Sequence, residues 1–292
     1  MSKTRVGWVF VVLALISSAC SSTSAVGAAP SASSSAAAPQ KIISLSPTAT
    51  EMLFAIGAGP QVVAVDSFSD YPAGAPTTKL SGFDPNVEAI ATYGPDLVVI
   101  ASDPGALVKG LGKLHVPVLV EPAAKTLNDS YDQLTELGQA TGHPSEAAAV
   151  IASMKSSIAR IVASAPEVGN LSVYHELDDT YYSATSDTFI GQIYGLFGAT
   201  NIADEAKGSG SGYPQLSPEY IAQANPQLIV LADGTCCGQT PAKVMARPGW
   251  EHISAVRTGS VIVIDDSIAS RWGPRVVELV QQIADGLKGA AA

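Results

Sequence analysis

Charge is scarce in this chain of 292 residues: Asp, Glu, Lys and Arg make up 14%, against roughly 25% in an average soluble domain. What charge there is leans acidic, with 26 carboxylates, 16 basic side chains and a formal net of -10. An acidic balance leaves no electrostatic footprint for nucleic acid. Nor does it attract an anionic lipid surface, so membrane attachment needs a specific device. Cysteine is scarcer still, at Cys20, Cys236 and Cys237, which excludes a disulfide-built fold of this size and leaves stability to an apolar core. The catalytic signatures are missing too. There is no G-x-x-x-x-G-K-[ST], no H-E-x-x-H and no G-x-S-x-G, and His115, His143, His175 and His252 have no metal-ligand spacing. Gly57-Ala58-Gly59 lacks the third glycine of a dinucleotide fingerprint and reads as a helix end. The expectation is a protein with no catalytic residues, no metal and no resident cofactor.

What is present begins with Lys3 and Arg5, an apolar run from Val6 to Ile16, and the small residues Ser17, Ser18 and Ala19 before Cys20. The run is about half the roughly 20 residues of a spanning helix, so residues 1–19 read as a secretory signal peptide. Cys20 resembles the lipidated cysteine of a bacterial lipobox, with Ser17 where that motif carries an aliphatic residue. Residues 20–40 follow as a Ser/Ala/Gly/Pro tether with too little apolar surface to offset the entropy of ordering it; 19 such residues span about 25 Å.

From Lys41 onward, short β-branched runs alternate with longer periodic segments, an α/β pattern. Strands are expected at Ile42–Leu45, Val62–Val65, Leu97–Ala101 and Val116–Val120. Ser46 before Pro47 reads as an N-cap, with Thr48 and Glu51 as a capping box one turn later. Further helices are expected at 86–93 and 126–140. Pro144–Ser164 is the longest helical segment, about 30 Å at 1.5 Å per residue, with Ala147, Val150, Ile151, Met154, Ile158 and Ile161 on one stripe. After it, strands are expected at Leu171–His175, Tyr181–Ala184, Leu228–Leu231 and Val261–Ile264. Helices are expected at 188–197, 218–224 and from Pro274. The spacing divides the folded part into an N-terminal lobe 41–141, an interlobe helix 142–166 and a C-terminal lobe 167–292.

The lobes are related. Glu88, Ile90, Pro95, Leu97 and Val99 recur without a gap, 131 residues later, as Glu219, Ile221, Pro226, Leu228 and Val230. Two copies imply two lobes of similar plan. Core packing does not require a carboxylate at the repeated position, so Glu88 and Glu219 mark one contact per lobe for a roughly symmetric partner. Cys236 and Cys237 are the one unusual chemical feature. Their Cα atoms lie about 3.8 Å apart, short of the usual disulfide span, which starts at roughly 4.4 Å. A vicinal disulfide, a free thiol pair and a buried pair all remain open. A bond would stiffen the loop Asp233–Thr240 and gives a redox protein as the rival reading, whereas two adjacent thiolates are poorly placed for tetrahedral zinc.

These motifs, taken in order, resemble a known family. Ile43-Ser-Leu-Ser-Pro-Thr-Ala-Thr-Glu51, Ser69-Asp-Tyr71-Pro72, Gly82-Phe83, Glu88–Leu97, Tyr213–Glu219 and Ser270-Arg271-Trp272-Gly-Pro-Arg275 are similar to the substrate-binding lipoproteins and periplasmic proteins of ABC importers for cobalamin, ferric siderophores and haem. The resemblance covers the chain from Lys41 on. It implies two α/β lobes with mostly parallel sheets, joined by one long backbone helix, and a ligand cleft between them. It further implies cleft-lining roles for Pro47, Tyr71, Phe83, Tyr213, Arg271 and Trp272, and pairing of Glu88 and Glu219 with arginines of an ABC permease dimer served by its ATPase. The expected protein is a monomer, anchored through Cys20 to the outer face of the cell membrane. The loops around Tyr71 and Tyr213 are closest to the cobalamin-binding branch, so a corrinoid is the first expectation for the metal chelate. A ferric siderophore is next, for which Arg271 suits an anion, and haem follows, for which Tyr71, Tyr213 and His175 are the available axial ligands.

Overall fold

The structure is a computed structural model that describes residues 37–166 and 168–292. The expected signal peptide, Cys20 and most of the tether lie outside the described residues.

Four strands, β1 (Ile42–Leu45), β2 (Val62–Val65), β3 (Leu97–Ile100) and β4 (Val118–Val120), form a parallel sheet in the order β2-β1-β3-β4. They alternate with helices α1 (Pro47–Ala55), α2 (Val87–Ala91), α3 (Leu107–Gly112) and α4 (Leu127–Thr141). Both faces of a parallel sheet are covered by its crossover helices, which is why β1 and β3 are wholly buried runs with no alternation. Helix α5 (Pro144–Ser164) follows. The second sheet holds β5 (Ser172–Glu176), β6 (Thr200–Asn201), β7 (Leu228–Leu231) and β8 (Val261–Val263), again all parallel, in the order β6-β5-β7-β8. Its helices are α6 (Phe189–Gly195), α7 (Pro218–Ala224), α8 (Gly234–Cys237), α9 (Pro241–Met245), α10 (Ser254–Thr258), α11 (Asp266–Ser270) and α12 (Val276–Ala290). The fold is therefore the expected pair of parallel α/β lobes joined by one long helix.

The repeat extends further than the sequence pattern. Ile42 pairs with Leu97 and Val173 with Leu228, both steps of 131 residues. The N-caps correspond, Asn86 accepting from the Ala89 amide and Ser217 from that of Tyr220. So do the helix exits, where Gly94 and Asn225 both take positive φ. Even the tie at the strand start is shared: Asp96 accepts from the Lys41 amide and Gln227 from that of Ser172.

Helix α5 lies between the lobes, packed against α4 of the first and α12 of the second. Ala147, Met154 and Ile158 of the expected stripe are buried, and Val150, Ile151 and Ile161 are partly so. The approach of α4 is close enough to require glycine: a Cβ on Gly138 would stand 2.5 Å from that of Ala147.

Two local expectations fail. Tyr181–Ala184 is not a strand. Tyr181 adopts φ 69, β6 pairs with β5 at the sheet edge, and the segment instead makes an isolated antiparallel bridge from Tyr182 to Gln215. The pair Thr48 and Glu51 is no capping box either. Ser46 Oγ caps α1 by accepting from the Ala49 amide, and Glu51 is turned to a different partner.

Candidate functional site

In open parallel sheets, ligands bind beyond the carboxyl ends of the strands. In the first lobe, β1 runs out into Ser46–Thr48, β2 into Asp66 and Phe68 and β3 into Ala101–Ser102, and these residues line one cavity of about 340 Å³. Buried hydroxyls hold the first two turns together, with Thr50 Oγ1 2.8 Å from Ser44 Oγ and 3.0 Å from Ser69 Oγ. Gly82 crosses the strand ends, where a Cβ would meet the Leu45 carbonyl oxygen at 2.4 Å. This crossing brings Phe83 over the cavity, edge-on to Phe68 with ring centroids 5.7 Å apart. Both rings are exposed, Phe83 at 80% and Phe68 at 56%.

The remaining wall comes from the second lobe. Ser270 ends α11, Arg271 and Trp272 follow it, and all three line the same cavity. They are tied across to the first lobe. Glu51, 3% exposed, accepts from Arg271 Nη1 at 2.9 Å and from Arg275 Nε at 2.9 Å, with Arg275 Nη2 closing the fork. Arg271 also pairs with Asp70 at 2.8 Å and donates to the Phe68 carbonyl. Trp272 Nε1 donates to Gln133 Oε1 at 2.7 Å, while its carbonyl accepts from Ser130 Oγ. Glu51 and Asp70 thus balance Arg271 and Arg275, and the arginine on the cavity wall carries no uncompensated charge. Asp66, on the same wall, is pushed up from the ordinary carboxylate range by burial, against hydrogen bonds from Ser69 and Phe68.

The structure therefore brings Pro47, Phe83, Arg271 and Trp272 to one cavity. Tyr71 lies in a neighbouring one of about 400 Å³, stacked 4.2 Å from the Arg275 guanidinium. Tyr213 is half exposed on a second-lobe loop and lines neither cavity. His175 does not face the cleft. It is fully buried, Nδ1 lies 2.7 Å from the Tyr194 hydroxyl, and burial lowers its pKa to about 4, leaving the ring neutral. Glu88 and Glu219 are exposed in the first turns of α2 and α7. Cys236 and Cys237 are joined as a vicinal disulfide in α8. Sequence reasoning missed Phe68, Asp66 and the role of Glu51. Phe68, three residues past β2, carried a usable signal as an aromatic in the loop beyond a strand's carboxyl end.

A family model for periplasmic binding proteins matches residues 42–268. The chain belongs to that family. It is 30% identical over 259 residues to the uncharacterized ABC transporter substrate-binding lipoprotein YvrC of Bacillus subtilis, covering 85% of this chain and 80% of the relative. It is 31% identical over 259 residues to the vitamin B12-binding protein of Pectobacterium carotovorum, covering 86% and 89%. The periplasmic haem-binding protein HutB of Vibrio cholerae shares its fold at a TM-score of 0.73, with 24% identity over 84% of this chain and 98% of that one. The chain is a substrate-binding protein and not an enzyme.

Two outcomes follow from the electrostatics. Glu51→Ala leaves two guanidinium groups without their common anion and is expected to destabilise the fold by about 3–5 kcal/mol, measured by urea unfolding; a loss below about 1 kcal/mol would show that the lobes are held elsewhere. Glu121, at the end of β4, is buried with Oε1 unpartnered among the described residues, and desolvation raises its pKa to about 8. The native state keeps this proton up to about pH 8, whereas the unfolded chain releases it near 4.5. Stability from this group therefore falls as pH rises through that window. Glu121→Gln is expected to flatten the fall between pH 5 and pH 8 in urea melts.

Proposed function

We propose that this protein is the extracytoplasmic, lipid-anchored binding component of an ABC importer, and that it captures a corrinoid in the interlobe cleft for delivery to the permease. The observation that carries the ligand class is the neutralised arginine. Among the described residues Arg271 is the one basic residue on the cavity wall, and Glu51 and Asp70 already hold it. An anionic ferric chelate needs a cation free to pair with it. A large, nearly neutral macrocycle needs apolar and aromatic surface, which Phe68, Phe83, Pro47 and Trp272 supply. The vitamin B12-binding relative of Pectobacterium supports the same ligand. Haem requires an axial Tyr or His; His175 is committed to Tyr194 and Tyr71 to Arg275, which leaves Tyr213 alone as a candidate.

Pro47, Phe83, Arg271 and Trp272 are assigned to the cleft wall, with Tyr213 on the opposing lobe and Tyr71 bracing Arg275 behind it. Glu88 and Glu219 are assigned to docking on permease arginines. Their support is equivalence, since both are exposed, both stand two residues after the N-cap of a short helix, and one lies on each lobe. Lipidation of Cys20 supplies the membrane attachment that an acidic chain lacks. The YvrC relative, a substrate-binding lipoprotein by name, supports that reading.

Titration of the full chain with cyanocobalamin, a ferric siderophore and haem, followed by Trp fluorescence and visible absorbance, is expected to give saturable binding with cyanocobalamin; saturation by a ferric siderophore alone overturns the corrinoid reading. The double substitution Glu88→Gln with Glu219→Gln is expected to abolish uptake into cells while leaving that titration unchanged. Undiminished uptake removes the docking assignment.

A further inference from the structure

The turn that carries Cys236 and Cys237 has little else to hold it. Helix α8 is four residues long, buries none of its side chains and receives no side-chain cap from Asp233. One helical turn in isolation is unfavourable, because nucleation fixes several dihedrals for one hydrogen bond. Besides the disulfide, the turn has local bonds from the Cys237 and Gln239 amides to the Asp233 carbonyl and from Lys243 Nζ to the Gly238 carbonyl, and it is fastened to α11 through the amides of Thr235 and Cys236, which donate to the Asp266 carboxylate at 3.0 and 2.6 Å. Asp266 is the first residue of α11, and α8 packs on that helix. Ser270 Oγ donates back to the Asp266 carbonyl at 2.6 Å, and the next two residues are Arg271 and Trp272 on the cavity wall. A single short helix thus connects the disulfide to the cleft.

The other end of the turn is under electrostatic load. Asp233 is fully buried and neither carboxyl oxygen has a partner among the described residues. Its neighbours are Glu176, which takes both terminal nitrogens of Arg247, and Asp266. One arginine therefore faces more than one carboxylate, and burial together with Glu176 pushes Asp233 up to about 7. Freed from its turn, Asp233 gains by reaching water.

We propose that the Cys236–Cys237 disulfide is a thiol-exchange site that latches α8 onto α11, so that its reduction loosens the Arg271–Trp272 wall of the cleft. Cys236 is exposed and within reach of a reductant. The chemistry is exchange with a dithiol. A thiolate of the reductant attacks one sulfur, the bond between Cys236 and Cys237 breaks, and a mixed disulfide forms. The second thiolate of the reductant then displaces that cysteine. The reductant leaves as its own disulfide, and the two cysteines gain two electrons and two protons. Neither cysteine lines the cavity with Arg271 and Trp272, so the effect on ligand is indirect, and that part alone rests on the function proposed above.

The full chain is compared with and without dithiothreitol by hydrogen exchange, with alkylation and peptide mass mapping to verify reduction at Cys236 and Cys237. Reduction is expected to speed exchange several-fold over residues 266–272 while β1 to β3 stay protected. The variant Cys236→Ser with Cys237→Ser is expected to exchange fast from the start and to ignore dithiothreitol. Cyanocobalamin binding is expected to weaken several-fold on reduction. Unchanged exchange over 266–272 after verified reduction overturns the latch, as does finding both cysteines as free thiols in protein purified in air. A response in exchange without any cyanocobalamin binding upholds the latch and overturns the ligand class.

Discussion

One carboxylate ties the two lobes across the cavity. Glu51 belongs to the first lobe's first helix, and its two guanidinium partners belong to the second lobe's last loop, 220 and 224 residues away. A buried ion pair adds little net stability over an apolar contact of the same shape, because desolvation offsets the attraction. Breaking one side of it is costly, since a charge is then left buried and alone. The cluster therefore fixes geometry more than it adds free energy. It ties the Arg271–Trp272 segment over the strand ends at one wall of the cavity.

Duplication explains why such a clamp is needed. The two sheets share strand order and register, and even the tie from Asp96 or Gln227 to the start of the first strand. Each sheet is covered by its own helices, and the lobes meet through α5, with α4 on one side and α12 on the other. Helix packing along α5 is one line of attachment. The Glu51 cluster and the Trp272 contacts to Gln133 and Ser130 add a second line of attachment. The copies then diverge beyond the carboxyl ends of the strands. The first lobe presents bare strand ends and aromatic rings, whereas the second inserts α8, α9 and α11 and lends a strap.

Much of this was legible in the residues. Helix α5 was read over the residues it occupies, because Pro at its start and a long 3.6-residue periodicity are local signals. The repeat was legible because helix, turn and buried strand recur with their spacing intact. The misreadings share a cause. Thr48 and Glu51 have capping-box spacing, and nothing within a helical turn reveals that an arginine 220 residues away is the true partner. Tyr181–Ala184 has strand composition, yet it lost its place to β6, a two-residue strand with no pattern at all. Tyr71 and Tyr213 share the aromatic character of Phe83, but which side of the Arg271 strap a ring falls on is a tertiary matter.

The chain's sparse, acidic charge takes on a definite arrangement in the fold. Glu51, Asp66, Glu121, Glu176 and Asp233 are all buried, in a chain with few charges to place. Two of them hold arginines, Arg271 and Arg275 at Glu51 and Arg247 at Glu176, while Asp66 and Glu121 are pushed toward the neutral form by burial. The interior thus neutralises much of its own charge, and the cavity wall is shaped more by aromatic rings than by free charge. Glu88 and Glu219 are left exposed at equivalent helix starts.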